Sequence, residues 1–459
     1  MNKRHRHNKG RRSNNAPRPL DTTPFMLTID NLSHDGRGVG RQDGKAIFVT
    51  GALPGEIVEV ERTQQHAKFD EAKVREWQQE SSERVDAPCP HYQQCGGCEL
   101  QHLSPESQLR FKEEQVLSQL RRIGRCVPEQ VEAPLHASTS HYRRSARIGI
   151  NQRSDGDVVL GFRRPQSNKL TNIDRCYVLD EALNDFLEAF RPLLEQNEKA
   201  RNLTHIQLSW LGEQGIAILR VVKAVSDDWL HACHELCAQH QLTLYLDEGQ
   251  GPVPYQAAAS DLGYSLSQGI NIAISPGDFF QVNADINQAM IDTALEWLAI
   301  DKDDHLLDLF CGAGNFSLPL AQQAAQVTGI EGVSAMVNAA KANAAHNQLE
   351  NCAFFHADLT DDLRQQTWYK QPFSKILLDP PRTGAAKVVE NIGQYGASHI
   401  LYVSCNPAAL ARDTEALQAQ GYSLEKFCIA NMFPHTAHIE SLALFVKSKN
   451  KKKVKSAQL

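Results

Sequence analysis

Five apolar strand candidates, separated by helical segments, fill residues 305–404. They lie at 305–310, 327–331, 353–356, 375–379 and 399–404, and two more, at 422–430 and 440–447, follow with no helix between them. Parallel neighbours need a long crossover, usually a helix, so this alternation confines the C-terminal part to a doubly wound α/β sheet. The last two strands supply an antiparallel edge and bring the expected sheet to seven strands. Ligands of such sheets bind outside the carboxyl ends of the strands. The residues at those ends are therefore the first candidates for chemistry.

The first of these strands runs through Asp308-Leu309 into Phe310-Cys311-Gly312-Ala313-Gly314-Asn315. The glycines let the backbone approach a ligand at the N-terminus of the next helix. A dinucleotide fingerprint would want a third glycine at 317, where Ser317 stands. The second strand ends in Glu331, a carboxylate able to bind both ribose hydroxyls. Asp358, after the third, could reach an adenine edge or serve as an ordinary helix cap. Glycines and Glu331 together point to a nucleoside-bearing cofactor. The fourth strand ends in Leu378-Asp379-Pro380-Pro381-Arg382, where two prolines force the chain out of the sheet and aim Asp379 at the crevice. The fifth ends in Val403-Ser404-Cys405-Asn406-Pro407. A lone strand-end cysteine is most often a buried structural thiol; the company Cys405 keeps argues for more.

Upstream, Phe25–Ile29, Lys45–Val49 and the period-two run Glu56–Glu61 are strand-like, and glycine turns such as Asp35-Gly36-Arg37-Gly38-Val39-Gly40 join them. Short strands of this kind suggest a small OB-type barrel over 20–80, often a nucleic-acid platform, and the glycine turn resembles that of a TRAM domain. Cys89, Cys95 and Cys98 then follow as C-x5-C-x2-C. Three thiols so close can curl around one metal centre, either zinc or iron–sulphur. The spacing disfavours the radical S-adenosylmethionine pattern. A fourth ligand must come from elsewhere, with Cys126 and Cys176 as candidates and His91 and His102 suited to zinc. Ser104-Pro105 opens a capped helix reaching Ile123, and residues 131–278 read as mixed, mostly strand. Within them, His141-Tyr142-Arg143-Arg144-Ser145-Ala146-Arg147-Ile148 interleaves an aromatic with three arginines. That suits phosphate contact with base stacking, or equally a solvated strand face. His231, Cys233, His234 and Cys237 look metal-like, but 228–240 is more simply an amphipathic helix.

The net charge of -6 hides an asymmetry. Residues 1–19 carry seven Lys or Arg and residues 447–459 six Lys, with no acid in either, so the body without those 13 charges stands at -19. Basic ends on an acidic body suggest contact with a polyanion, or the solubility of disordered tails. The basic N-terminus has no secretory pattern, and no apolar run approaches membrane-spanning length. Eleven cysteines in such a chain fit a reducing, cytoplasmic setting.

Asp379-Pro380-Pro381-Arg382, Ser404-Cys405-Asn406-Pro407 and Pro434-His435-Thr436-Ala437-His438-Ile439-Glu440-Ser441 together resemble the RNA uracil-C5 methyltransferase family, over residues 23–446. Base N-methyltransferases usually carry an aromatic where Arg382 stands, which argues against exocyclic amine methylation. The TRAM-like start and the cysteine run narrow the resemblance to the bacterial 23S ribosomal RNA branch. The resemblance implies a basic tail at 1–19, a TRAM barrel at 20–80, a central mixed α+β iron–sulphur and RNA-binding domain at 81–278, a Rossmann-like S-adenosylmethionine methyltransferase domain at 279–447 and a tail at 448–459. It implies a four-iron, four-sulphur cluster on Cys89, Cys95, Cys98 and Cys176. It also implies a cofactor site lined by Gln281, Phe310, Asn315, Glu331, Asp358 and Asp379, a monomer acting on 23S ribosomal RNA, and no membrane attachment.

The chemistry makes sense of two further residues. C5 of uracil is a poor nucleophile until a thiolate adds at C6, which is the role of Cys405. The C5 proton must then leave before the thiolate can, and Glu440 is the candidate base. The target must be flipped out or single-stranded to enter such a site. Cytosine-C5 or transfer-RNA uridine methylation uses the same thiol chemistry. An RNA-binding ribosome assembly factor with a vestigial fold is the non-enzymatic alternative, which loss of Cys405 or Glu440 would have favoured. An iron–sulphur redox protein is disfavoured, since the cysteine run lies far in sequence from the nucleotide crevice.

Overall fold

The computed structural model describes residues 20–256 and 262–448. The basic tail at 1–19 lies outside these, and so does 449–459 of the C-terminal one. The chain divides into two compact units, one ending at Arg84 and one starting at Val85.

The first unit holds β1 (Phe25–Thr28), β2 (Asn31–Leu32), β3 (Gly38–Gln42), β4 (Lys45–Thr50), β5 (Ile57–Gln65) and β6 (Phe69–Gln79), in the order β1-β5-β6-β4-β3-β2. The chain just past β1 also bonds β3, with Asp30 N donating to Val39 O at 2.8 Å, so the sheet curls back on itself. Gly40 permits this approach, because a Cβ there would lie 2.4 Å from the Thr28 carbonyl. Leu27, Ile47, Val49, Val58 and Val60 fill the interior, as alternation requires. Sequence did not disclose β2, β3 or β6; β3 begins inside the run read as a glycine turn, and β6 is the longest of the three. Its alternation is hidden among charges, and pairing to both β4 and β5 holds it. Its buried Asp70 accepts from Lys45 at 2.6 Å and Arg62 at 3.2 Å.

The second unit opens with the cysteine segment and α1 (Pro105–Arg122), which Ser104 caps as expected. Then come β7 (Gln130–Val131), β8 (Ser145–Gln152), β9 (Val158–Arg163), β10 (Leu170–Asn172), α2 (Glu181–Glu195), β11 (Leu203–Trp210), β12 (Gly215–Val221), α3 (Asp227–Gln239), β13 (Leu242–Asp247) and β14 (Pro252–Pro254). Strands β8 to β14 form one sheet, ordered β10-β9-β8-β11-β12-β13-β14. Helices α2 and α3 pack on it through Phe186, Phe190, Trp229 and Leu230. α3 is the amphipathic helix expected at 228–240: Cys233 and Cys237 are buried in its apolar face, and His231 pairs with Glu235 instead. β15 (Gly263–Ser265) and β16 (Asn271–Ala273) make a small separate ribbon.

The C-terminal layer comprises α4 (Ala284–Leu298), β17 (His305–Leu309), α5 (Ser317–Ala321), β18 (Gln326–Glu331), α6 (Ser334–His346), β19 (Cys352–His356), β20 (Lys375–Leu378), α7 (Ala386–Val389), β21 (His399–Ser404), α8 (Pro407–Ala419), β22 (Tyr422–Ala430) and β23 (Glu440–Lys447). The order is β19-β18-β17-β20-β21-β23-β22-β7, with β17 to β21 parallel and β23 antiparallel to both its neighbours. The sheet therefore has eight strands, one more than expected. The extra strand, β7, is two residues long and too short to show a period. It joins β22 because Glu129 N and Glu132 N donate to the Leu424 and Phe427 carbonyls. Helix α1 belongs to this layer too: Val116 and Leu120 share a core with Leu410, Leu417, Leu424 and Phe427. Among the described residues, no helix is long and apolar enough to cross a membrane.

Candidate active site

Strand register gathers the expected site residues along one edge of the sheet. Leu309 lies beside Leu378, and Leu378 beside Tyr402, so Phe310, Asp379 and Cys405 leave the sheet at the same end. The antiparallel neighbour brings Glu440 there as well, because Ser404 pairs with Ser441 and Cys405 and Glu440 stand next in register. Ser441 Oγ donates to the Ser404 carbonyl at 3.3 Å. Asn406 caps α8, accepting from Ala408 N at 3.0 Å, and its Nδ2 donates to the Arg382 carbonyl at 2.8 Å. The Pro-Pro corner and the cysteine corner are thus tied together.

These groups titrate far from their ordinary values. Burial lifts Asp379 to about 7. Burial, then the like charge of Asp379, lifts Glu440 to about 8, against the opposing pull of Arg382 and Lys112. Burial, then the Glu440 and Asp379 carboxylates, lifts the Cys405 thiol to about 11, with Arg382 opposing. A thiol and two carboxyls whose ionisation depends on one another are the arrangement expected of a catalytic cluster.

The neighbouring strand ends form a second half of the crevice. Phe310 takes φ 69°, a left-handed conformation unusual for a bulky residue and typical of functional turns. Gly312 and Gly314 follow with φ 55° and 97°, where glycine carries no penalty. Glu331 braces this turn, accepting from Gly312 N at 3.2 Å and Val333 N at 2.8 Å. Asn315 exchanges amide bonds of 3.0 and 2.9 Å with Asn287 of α4 and accepts from Tyr264 at 3.3 Å. The Gln281 carbonyl accepts from Arg144 Nε at 2.9 Å. Asp358 is exposed beyond β19 and binds its own Thr360, through N at 2.8 Å and Oγ1 at 2.7 Å. Asp308, buried in β17, is held by Ser317, yet its Oδ1 has no partner among the described residues. Burial, then Asp379 and Glu331, raise it to about 7. Crowded carboxyls with an orphaned oxygen would be relieved by a cationic ligand.

The cysteine segment is pinned to the central sheet, with Gly96 N donating to Arg163 O at 2.8 Å and Thr171 Oγ1 to Gln94 O at 2.6 Å. Burial, then neighbouring thiols, raise Cys95 to about 11 and Cys98 to about 12; both feel Cys176. Cys176, raised mainly by burial, feels Cys89. The four thiols thus face one another electrostatically, although no group of three or more His, Cys, Asp or Glu among the described residues is drawn in closely enough to hold a metal ion. Cys126 is remote from them, packed in the apolar core under α1, and only burial shifts it.

Two expectations change. Tyr142 is buried and its hydroxyl donates to the Pro434 carbonyl at 3.0 Å, so it offers no stacking face. Arg144 is buried too, beneath the rings of Tyr264 and Phe280 at 4.3 and 5.0 Å. In that run Arg147 is the exposed arginine. Sequence reasoning also passed over Asp308, Asn287 and Lys112. The signal for Lys112 was its place in the buried stripe Gln108, Lys112, Val116 and Leu120, at steps of four along α1.

Comparison with known proteins adds a separate line of evidence. The family model described as tRNA (Uracil-5-)-methyltransferase matches residues 106–448, and that of the TRAM domain matches residues 25–74. Two curated relatives carry the name 23S rRNA (uracil(1939)-C(5))-methyltransferase. The one from Vibrio cholerae is 41% identical over 93% of this chain and 97% of its own length, and the one from Pseudomonas fluorescens is 43% identical over 92% of each. Among solved structures, the Pyrococcus abyssi tRNA (uracil-54, C5)-methyltransferase in complex with S-adenosyl-L-homocysteine shares the fold, with a TM-score of 0.70 at 23% identity over 92% of this chain and 100% of that one.

The cluster makes a prediction independent of any substrate. In the free chain Cys405 should be alkylated slowly by iodoacetamide at neutral pH, and faster as the pH rises toward about 11. Above about pH 8, where Glu440 is ionised, Glu440→Gln removes a negative neighbour, so there the thiol should ionise more and react faster. Arg382→Met should do the reverse. Peptide mass spectrometry follows Cys405 among the other cysteines, and equal rates in all three proteins would contradict this electrostatic picture.

Proposed function

The chain belongs to the RNA uracil-C5 methyltransferase family, and from that membership we propose that it methylates C5 of a uridine in 23S ribosomal RNA with S-adenosylmethionine as donor. The observation that carries the proposal is the register of β21 and β23, which sets Cys405 beside Glu440 at the carboxyl edge of the parallel strands. The relatives that cover nearly the whole chain support ribosomal over transfer RNA as substrate.

In this reading Gln281, Phe310, Asn315, Glu331, Asp358 and Asp379 line the cofactor site. The residues fit such a ligand: Glu331 ends β18 as a carboxylate that could accept ribose hydroxyls, glycines leave the turn open, and Asp308 and Asp379 are carboxyls that a cation would relieve. When bound, S-adenosylmethionine supplies an electrophilic methyl group and leaves as a neutral thioether. The protein's own steps are two. Cys405 Sγ, deprotonated, bonds to C6 of the uracil, and the C5–C6 π pair moves onto C5 and O4 as an enolate, which gives C5 its nucleophilicity. After methylation Glu440 takes the C5 proton; the released pair re-forms the C5–C6 double bond as the C6–S bond breaks and returns the thiolate. Arg382 is a cation of the chain that favours that thiolate.

We also read Cys89, Cys95, Cys98 and Cys176 as ligands of a four-iron, four-sulphur cluster in a central domain spanning 81–278, between a barrel at 20–80 and a methyltransferase domain at 279–447. The mutual electrostatic contact of the four thiols supports it. When bound, a cluster would neutralise these thiols as thiolates and cross-link their segments. The working protein is read as a cytoplasmic monomer.

Two measurements test these readings. Anaerobically purified protein should contain about four irons with matching acid-labile sulphide per chain; stoichiometric zinc without sulphide would contradict the cluster. With a short uridine-containing RNA and methyl-labelled cofactor, Cys405→Ala should form no covalent species. Glu440→Gln should accumulate a methylated protein–RNA adduct that survives denaturation, and the double variant should match Cys405→Ala. Release of methylated RNA by Glu440→Gln at the wild-type rate would show that Glu440 is not the base.

A further inference from the structure

Lys112 is 1% exposed, in the middle of α1. A buried lysine is costly unless its charge is used. Its Nζ donates to Asn431 Oδ1 and to the Phe433 carbonyl, each at 2.8 Å. Both acceptors lie in the segment between β22 and β23, the segment that delivers Glu440. The same helix face holds this segment a second time. Gln108, one turn earlier, accepts from His435 N at 2.8 Å, and its Nε2 contacts His435 Nδ1 at 3.2 Å. His435 itself takes φ 66°, and its carbonyl accepts from Glu99 N at 3.0 Å and Leu100 N at 2.8 Å. A backbone conformation of this kind persists only where its surroundings over-determine it.

We infer that Lys112 is a positioning residue for Glu440: it fixes the segment that carries the carboxyl to Cys405, and its buried positive charge favours the carboxylate, the form that accepts the C5 proton. The inference rests on the reading of Glu440 as the base. The charged and titratable groups around Glu440 are Asp379 and Arg382 from the Pro-Pro corner, Cys405 from the corner after β21 and Lys112 from α1. Around Lys112 are Glu99, Glu440, His435 and His438. Asp379 opposes ionisation of Glu440, while Arg382 and Lys112 promote it. Of the two cations, Lys112 is the buried one, and burial weakens solvent screening. Burial draws Lys112 down to about 7, so its charge is present below that value and fades above it, and its pull on Glu440 belongs to that range of pH.

The test follows labelled adduct and released product over a range of pH for wild type, Lys112→Met, Glu440→Gln and their double variant. Lys112→Met should still add Cys405 to the RNA and transfer the methyl group, but its methylated adduct should build up several-fold above wild type. Release should recover at higher pH, because Glu440 must ionise without its cation. The double variant should behave as Glu440→Gln alone, since a residue acting through Glu440 has nothing left to act on. A purely structural role would slow methyl transfer and release together and leave the pH profile of release unmoved; either result overturns the inference. If Glu440→Gln accumulates adduct and Lys112→Met does not, only the role of Lys112 fails. If Glu440→Gln accumulates none, the reading of Glu440 fails first. Should Lys112→Met not fold, Lys112→Gln, which keeps a donor and removes the charge, is read the same way; failure of both to fold would make Lys112 a structural residue and overturn the inference.

Discussion

The antiparallel pairing of β21 with β23 is the constraint on which the site depends. A parallel sheet delivers strand ends along one edge, but its strands arrive in sequence with helices between them. A reversed strand inserted beside β21 starts where β21 stops. Its first residue, Glu440, therefore lies against the residue that follows the last of β21, Cys405. A shift of one residue in this register would turn Glu440 to the other face of the sheet. The buried Ser404–Ser441 contact and the interior packing of Leu442, Leu444, Leu401 and Val403 resist such a slip.

What the pairing brings together, burial then holds toward the neutral form. Asp308, Asp379, Glu440 and Cys405 all sit where the neutral form is favoured. Isolated, each would be an inert buried acid. Side by side, with Arg382 and Lys112 as the opposing cations, they form a set in which the protonation of one sets that of the next. The proposed mechanism draws on this coupling: a thiol that must ionise early and a carboxyl that must be ionised late are held within each other's field.

Much of this was legible in the sequence because strand ends and corners are written locally. Apolar runs that stop at Gly, Pro or Asn marked Phe310, Glu331, Asp379 and Cys405, and all seven long strands of the C-terminal sheet fall where those runs fall. The rest depends on partners distant in sequence. β6 owes its existence to pairing on both sides, and its charged residues concealed it. β7 is two residues recruited by β22. Tyr142 looked like a stacking ring and is instead a hydrogen-bond donor to a carbonyl almost three hundred positions away. Lys112 sits in a buried helical stripe whose meaning appears only when the segment 431–433 lies across it.

The central claim is a covalent bond between Cys405 and C6 of a uridine, and a mechanism-trapping substrate tests it most directly. Fluorine at C5 cannot leave as a proton does, so 5-fluorouridine in a 23S ribosomal RNA fragment should arrest the wild-type protein after methyl transfer. Tandem mass spectrometry of the digested complex should find one nucleotide carrying both fluorine and the transferred methyl group, attached to the peptide that contains Cys405. No linked peptide, or a linkage through any other cysteine, would contradict the account.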